Sequence, residues 1–290
     1  MSRVKLNVFV EGDVDSFFYG QICQLELGGL FNYSLKNSKQ LPTPGQGKSH
    51  LLRHFEFMRR RRLLVIDFKG QRSASIFFVD KDVDDRRRRE RRSMHLVYTE
   101  YYDVENYVYR QGKLVRAVAA ACLKDIQAVS QAIPAPDQWP ARAALLWKEW
   151  LKLCLYSCLF ATGSGCNYRA SSQVNAGPAR PVDDTLYKRR LVNLQAASGL
   201  SPSAFHAKFA RLSRRVDMCY AVGKQDELFR GKWYPILLSD ELKVSGIATG
   251  AATHALPSRL TQGFLMSLDF SEPWADYLRQ AVKVVAALAD

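Results

Sequence analysis

The sequence predicts an α/β protein: a largely parallel sheet flanked by helices, with a mostly helical insertion or C-terminal region. Short apolar runs alternate with helical periodicities over the first 112 residues, the grammar of strand–helix–strand units. These runs are bounded by acidic or turn-forming residues, as strands are. Beyond residue 112 the strand pattern stops and long helical patterns take over. The expected division is therefore 1–112 as an α/β domain and 113–290 as a mostly helical region.

The first strand is "VKLNVFV" at 4–10, which alternates and then becomes continuously apolar, as a strand entering a buried sheet does. From 13 to 27, Val14, Phe17, Phe18, Ile22 and Leu25 recur at helical spacing. Asp13 can cap this helix, and acids in its first turn favour the positive end of the helix dipole. "FNYSL" at 31–35 is a weak second strand, and "LPTPGQGKSH" is a Pro/Gly loop leading into a helix that carries Leu51, Leu52, Phe55 and Met58. "LLVIDF" at 63–68 fits either the end of that helix or an extra strand. "SIFFVDKD" at 75–82 and "HLVY" at 95–98 read as strands by residue type. Helical patterns then fill about 114–132, 138–162 and 184–222, the last two separated by a Gly/Ser/Asn-rich break.

Of the 290 residues, 47% are hydrophobic, ample for a packed core. The charge balance is less ordinary: 42 Lys and Arg against 28 Asp and Glu, a net charge of +14. Such an excess suits a polyanion, nucleic acid first, although a basic surface also serves solubility alone. The six cysteines show no paired C-x-x-C spacing, against a zinc ribbon or a dense disulfide framework. The longest apolar stretch, "AALLWKEWLKLCLYSCLFATG", is interrupted by Lys148, Glu149 and Lys152 and reads as a core helix, not a membrane span. The chain opens directly on a strand pattern without a signal-peptide core, so a cytoplasmic, reducing compartment is expected.

The chemistry concentrates in acids at strand ends. Glu11 follows the first strand, and Asp15 lies one turn into the next helix. Asp80 and Asp82 alternate across Lys81, so on an extended strand end both would point the same way, with Asp84 and Asp85 following. Burying such carboxylates together is costly unless a cation pairs with them, and hard cations such as Mg²⁺ take oxygen ligands of this kind. The C-terminal edge of a parallel sheet is also where α/β proteins place ligands. "GKS" at 47–49 ends like a Walker A loop, but Pro42 stands where that loop needs its first glycine. Lys48 remains a point charge for a phosphate. No Ser, Cys or His sits in a recognisable nucleophile context.

"FVEGDVDSFFY" and "IFFVDKDVDD" together resemble the TOPRIM domain of OLD-type nucleases, topoisomerases and primases, whose signature is a Glu followed by Asp-x-Asp. "YYDVENYVY" and the late "RGKWYPILL" extend the resemblance to a smaller TOPRIM family of antiphage effectors, which includes the TOPRIM subunit of PARIS systems. It covers about 4–110 and a patch at 230–238, which it implies returns toward the active site. It implies a TOPRIM-like sheet and a Mg²⁺- or Mn²⁺-dependent endonuclease acting as a toxin in abortive-infection defence. Glu11, Asp80 and Asp82 would then be catalytic metal ligands, Asp15 and Glu105 further metal ligands, and Lys232 a stabiliser of phosphate charge. The implied partners are nucleic acid, with tRNA among the substrates, an ABC-type ATPase subunit and a second copy of the chain in a homodimer. Lys81 between the aspartates departs from the commoner Asp-Arg-Asp form.

Basic runs flank these acids: "RRRR" at 59–62 and "RRRRERR" at 86–92. Beside a carboxylate cluster they would draw in a polyanion that the acids repel, which makes Arg86, Arg87, Arg88 and Arg89 candidate nucleic-acid contacts alongside Lys48. Tyr98, Tyr101, Tyr102, Tyr107 and Tyr109 offer stacking surfaces or core aromatics. A rival reading keeps the basic surface but makes the protein a non-catalytic nucleic-acid-binding or assembly subunit with a structural cation.

Overall fold

The computed structural model describes residues 4–28, 32–83, 90–248 and 254–290. The chain forms two compact units. One comprises Met1–Lys81, Arg89–Glu100 and Asp269–Asp290; the other comprises Asp82–Arg88 and Tyr101–Leu268. The sheet belongs to the first, so the C-terminal residues join the sheet and 101–112 join the helical unit.

The centre of the sheet is two parallel strands, β1 (Leu6–Val10) and β4 (Gln71–Val79), with Leu6 opposite Ala74 and Phe9 opposite Phe77. β2 (Tyr33–Asn37) pairs parallel with the other side of β1. The remaining side of β4 is shared: β3 (Val65–Phe68) lies antiparallel along 71–74, and β5 (Leu96–Tyr98) lies parallel along 77–79. The sheet is therefore mixed, mostly parallel. Residues 73–79 of β4 are all buried, which is why this strand reads as a continuous apolar run instead of alternating.

Helices cover both faces. On one, α1 (Asp13–Leu27) buries Phe18, Tyr19, Ile22 and Cys23, with Tyr19 stacked on Phe78 at 4.1 Å. Beside it lies α12 (Asp276–Ala286), whose Arg279 and Lys283 reach Glu26 at 3.3 and 2.8 Å. On the other face, Leu51, Phe55 and Met58 of α2 (Lys48–Arg60) pack on Phe9, Phe77, Val79 and Leu96.

Two expectations change and one open reading is settled. Of the two readings of "LLVIDF" the strand holds, over Val65–Phe68, because Lys69 and Gly70 both take positive φ (54° and 73°) and turn β3 back onto β4 in a two-residue hairpin. β4 ends at Val79, and Asp82 adopts φ 53°, so Asp80 and Asp82 do not alternate along an extended strand. Each long helical pattern is two helices. After α3 (Val104–Gln111), which precedes it, the first divides into α4 (Leu114–Cys122) and α5 (Ile126–Ala132), separated by left-handed Leu123 and the Asp125 cap. The second divides at Trp147 into α6 (Trp139–Leu146) and α7 (Lys148–Phe160). The third divides at left-handed Gly199 into α8 (Asp184–Ser198) and α9 (Pro202–Ala221), with Ser201 capping α9 ahead of Pro202. α10 (Tyr234–Val244) and α11 (Leu256–Met266) complete the helical unit.

Lys152, buried in α7, is held by Glu149 at 2.7 Å and Asp217 at 3.1 Å. Among the described residues no helix is long and apolar enough to cross a membrane. None of the six cysteines forms a disulfide. Burial pushes the Cys23 thiol from its ordinary 9.0 up to about 12, and burial likewise raises the Tyr109 and Tyr234 hydroxyls. The folded state thus holds these protons more tightly than the unfolded chain. The Cys23 contribution to stability is complete below pH 9 and is lost as pH rises from about 9 toward 12, and the tyrosines' contributions are lost from the ordinary phenol range upward. The urea midpoint is expected to stay level through neutral pH and to fall steadily above 9, less steeply in Cys23→Ala; a flat midpoint to pH 10.5 would contradict this burial.

Candidate functional site

The parallel pairing of β1 and β4 carries both strand ends to one edge of the sheet. Glu11 follows β1 and Asp80 follows β4, and the Glu11 carboxylate (Oε1) accepts the Asp80 backbone N–H at 2.9 Å. Asp80 is itself buried. Glu11 and Asp80 therefore meet, as expected for neighbouring parallel strand tips. Asp15, also buried, turns its carboxylate back to the Gly12 N–H at 2.9 Å, closing the first turn of α1. Asp13 accepts from Asn37 at 2.7 Å and from the Lys39 ammonium at 2.9 Å, which ties the start of α1 to the end of β2.

A second layer of contacts holds this edge. Ser38 donates to the Glu11 carbonyl at 2.6 Å and accepts the Gly47 N–H at 2.8 Å, so it pins the Pro/Gly loop against β1. Lys48, the first residue of α2, donates to the carbonyls of Asp80 and Lys81 and lies 5.6 Å from the Tyr98 ring centre. It closes the end of β4 with its own ammonium. The lysine of the Gly-Lys-Ser sequence thus caps the end of a strand within the chain. Lys81 continues the same edge, its N–H donating to the Thr99 hydroxyl at 2.8 Å. Sequence reasoning missed Asn37 and Ser38; polar residues directly after a weak strand were the available signal.

In the helical unit, Asp82 donates its backbone N–H to the Tyr102 carbonyl at 2.8 Å. Burial, with the Asp82, Tyr168 and Asp103 charges adding to it, holds the Tyr102 hydroxyl well above the usual phenol range. Glu105 and Lys232, far apart in sequence, come together at 3.7 Å, with Glu105 buried and Lys232 half-exposed. "YYDVENYVY" packs on "RGKWYP" through Asp103, Glu105 and Tyr109. Asp103 accepts the Gly231 N–H at 3.0 Å, and Asn106 donates to the Phe229 carbonyl at 3.0 Å. Gly231 is obligatory by space: a Cβ there would sit 2.3 Å from the Asp103 carboxylate and 2.4 Å from the Asn106 backbone nitrogen.

The hub of this packing is Asp226, which no motif announced. Its side chain, 1% exposed, accepts from Arg110 at 2.6 Å, Tyr234 at 2.7 Å and Asn106 at 3.2 Å. Of the five tyrosines at 98–109, Tyr102, Tyr107 and Tyr109 are buried core aromatics. Asp84, Asp85 and Arg86 to Arg89 lie outside the described residues.

The donor chemistry suits a hard cation, since Glu11, Asp15 and Asp80 offer only oxygens. As placed, the Glu11 carboxylate lies on the Asp80 backbone N–H, and the Asp15 carboxylate is folded onto its own turn. Among the described residues no three His, Cys, Asp or Glu side chains form a metal-binding group. Fold and site together define an α/β protein with a mixed, mostly parallel sheet and an acidic strand-tip edge. Compared with known families and curated proteins, the chain matches no family model and no curated protein.

Asp226→Ala removes three hydrogen bonds to one buried carboxylate and is expected to destabilise the chain by about 3 kcal/mol. Gly231→Ala is expected to lower stability as well, because backbone as well as side-chain atoms stand in the way. Lys232→Met, at a half-exposed pair, should change stability by less than about 1 kcal/mol. Urea denaturation of the full chain reads all three; a neutral Asp226→Ala would remove the hub.

Proposed function

We propose that this protein is a metal-dependent endonuclease of TOPRIM type acting as an antiphage effector. The single observation that carries the reading is the meeting of Glu11 and Asp80 across adjacent parallel strand tips. Support also comes from the packing of "YYDVENYVY" on "RGKWYP", the two stretches whose resemblance to TOPRIM effectors is most particular. Glu11 and Asp80, with Asp15 one turn away, are the residues of the sheet unit that would hold Mg²⁺ or Mn²⁺. Asp82 is added to that set by the Asp-x-Asp pattern and the resemblance, and Glu105 by the resemblance alone. When bound, such an ion activates water and stabilises the leaving oxygen of a phosphodiester.

The chain's own residues have defined tasks in this reading. Glu11 is oriented by the Asp80 N–H, which holds one carboxylate oxygen and so sets the direction of the other. Lys48 holds the end of β4 in place, acting through Asp80 on the position of its carboxylate. Lys232, half-exposed beside Glu105, supplies positive charge for the phosphate. The net charge of +14 draws in the polyanion. The setting is cytoplasmic, tRNA is among the substrates, and an ABC-type ATPase restrains the effector until infection.

One observation favours the rival reading, a non-catalytic nucleic-acid-binding or assembly subunit. Backbone N–H groups hold the Glu11 and Asp15 carboxylates, and the Lys48 ammonium stands at the end of β4, contacts that a purely structural edge also uses. Glu11→Gln separates the two, because the amide oxygen still accepts the Asp80 N–H while the charge is lost. The nuclease reading expects toxicity in cells and Mg²⁺-dependent cleavage to drop at least about a hundredfold, with the melting temperature unchanged. Sequencing RNA and DNA ends after induction, with and without the ATPase, identifies the substrate. Full activity in folded Glu11→Gln, or no new ends in the wild type under any condition, would leave the rival standing.

A further inference from the structure

The face of α2 turned away from the sheet is built as a binding surface. Leu51, Phe55 and Met58 point into the core. Arg53, Glu56, Phe57 and Arg60 follow one another at i, i+3, i+4 and i+7, which places them along one stripe on the opposite face. Arg61 at the end of the helix and Arg91 from the segment before β5 join them around a cleft of about 550 Å³, within the size range of small-ligand sites.

Four guanidinium groups and one carboxylate line this cleft. Glu56 is shared between Arg59 at 2.8 Å and Arg91 at 3.4 Å, and Arg91 is braced further by the Leu52 carbonyl at 3.2 Å. Among the described residues the side chains of Arg53, Arg60 and Arg61 make no ion pair. Attraction to the negative end of the helix dipole accounts for basic residues in the last turn; it does not account for Arg53, two turns earlier. Amid these charges Phe57 is 54% exposed. Its ring lies nearly parallel to that of His54, at 18° and 6.4 Å, which braces its orientation. A large aromatic ring left in water beside unpaired guanidiniums has a use when a flat, anionic ligand covers it.

We propose that the α2 cleft binds a single-stranded nucleic acid, with Arg53, Arg60, Arg61 and Arg91 on its phosphates and an unpaired base stacked on Phe57. Guanidinium forks match phosphate oxygens bidentately, and an aromatic ring gives any base a stacking surface without sequence preference. A duplex presents no free base face, so the aromatic selects the single strand. An acidic peptide would use the arginines and leave Phe57 without a role, which is why nucleic acid is favoured. The cleft lies within the sheet unit and includes none of the acidic edge residues, so the proposal does not depend on phosphodiester cleavage.

The test is binding of a fluorescein-labelled single-stranded dodecauridylate to the full chain, by anisotropy in EDTA, across a salt series. Phe57→Ala is expected to weaken binding about tenfold or more, and Phe57→Trp to restore it. Arg53→Glu with Arg60→Glu is expected to weaken binding and to reduce the salt slope by about one for each phosphate that is no longer neutralised. These side chains face away from the core, so thermal melts should match the wild type; Phe57→Leu, which keeps bulk without the aromatic face, guards against a folding defect in Phe57→Ala. Unchanged affinity in Phe57→Ala and Phe57→Leu overturns the proposal. So does duplex RNA binding as tightly as the single strand, or polyglutamate displacing the oligonucleotide as well as unlabelled RNA does. Intact, Phe57-dependent binding with no cleavage in Mg²⁺ would fail the nuclease reading alone.

Discussion

The parallel pairing of β1 with β4 is the contact on which the sheet unit depends. Both strands are buried on two faces, so neither can shift by one residue without exchanging its inward and outward side chains. With Phe9 opposite Phe77, Glu11 comes level with the end of β4, where it reaches the Asp80 N–H. Burial of Val8, Val10, Phe77 and Phe78 supplies the driving force, at about 1.5–3 kcal/mol for each large apolar side chain. The position of these two acidic residues is thus set by hydrophobic register, against the mutual repulsion of like charges.

That edge also shows how neighbouring acids coexist. From residue types alone, the compensation would fall to a metal ion. In the structure, backbone N–H groups supply a share of it: Asp80 donates to Glu11 and Gly12 donates to Asp15. Lys48 adds a full positive charge at the end of β4. A carboxylate that accepts a backbone N–H is at once partly stabilised and fixed in direction. Removing the Glu11 side chain altogether therefore relieves repulsion and also leaves a donor without its acceptor.

The helical unit follows a different logic. Asp226 gathers Asn106 and Arg110 from α3 and Tyr234 from the start of α10, and the Gly231 backbone fits against Asp103 because it has no side chain. Two stretches more than a hundred residues apart become one packed block. Glu105 and Lys232 stand on its surface side by side, so the chemistry assigned to either depends on the same buried hub.

Much of the sheet was legible because strands that are buried on two faces read as apolar runs, and Glu11 and Asp80 because they end such runs. The hairpin at Lys69–Gly70 escaped notice, since only Gly70 signals a positive φ and Lys69 does not. The long helical patterns hid their breaks because Leu123 and Trp147 are apolar and continue the periodicity while the backbone turns. Composition and local pattern by themselves determined the α/β class, the basic surface and the two strand-tip acids; these depend on residue type and near neighbours. Only the tertiary structure decided that Lys48 closes β4, that Asp226 joins α3 to α10, and that Phe57 stands among arginines on an outward face. Those facts depend on which distant residues share space, and a buried partner leaves no mark on the residues next to it in the chain.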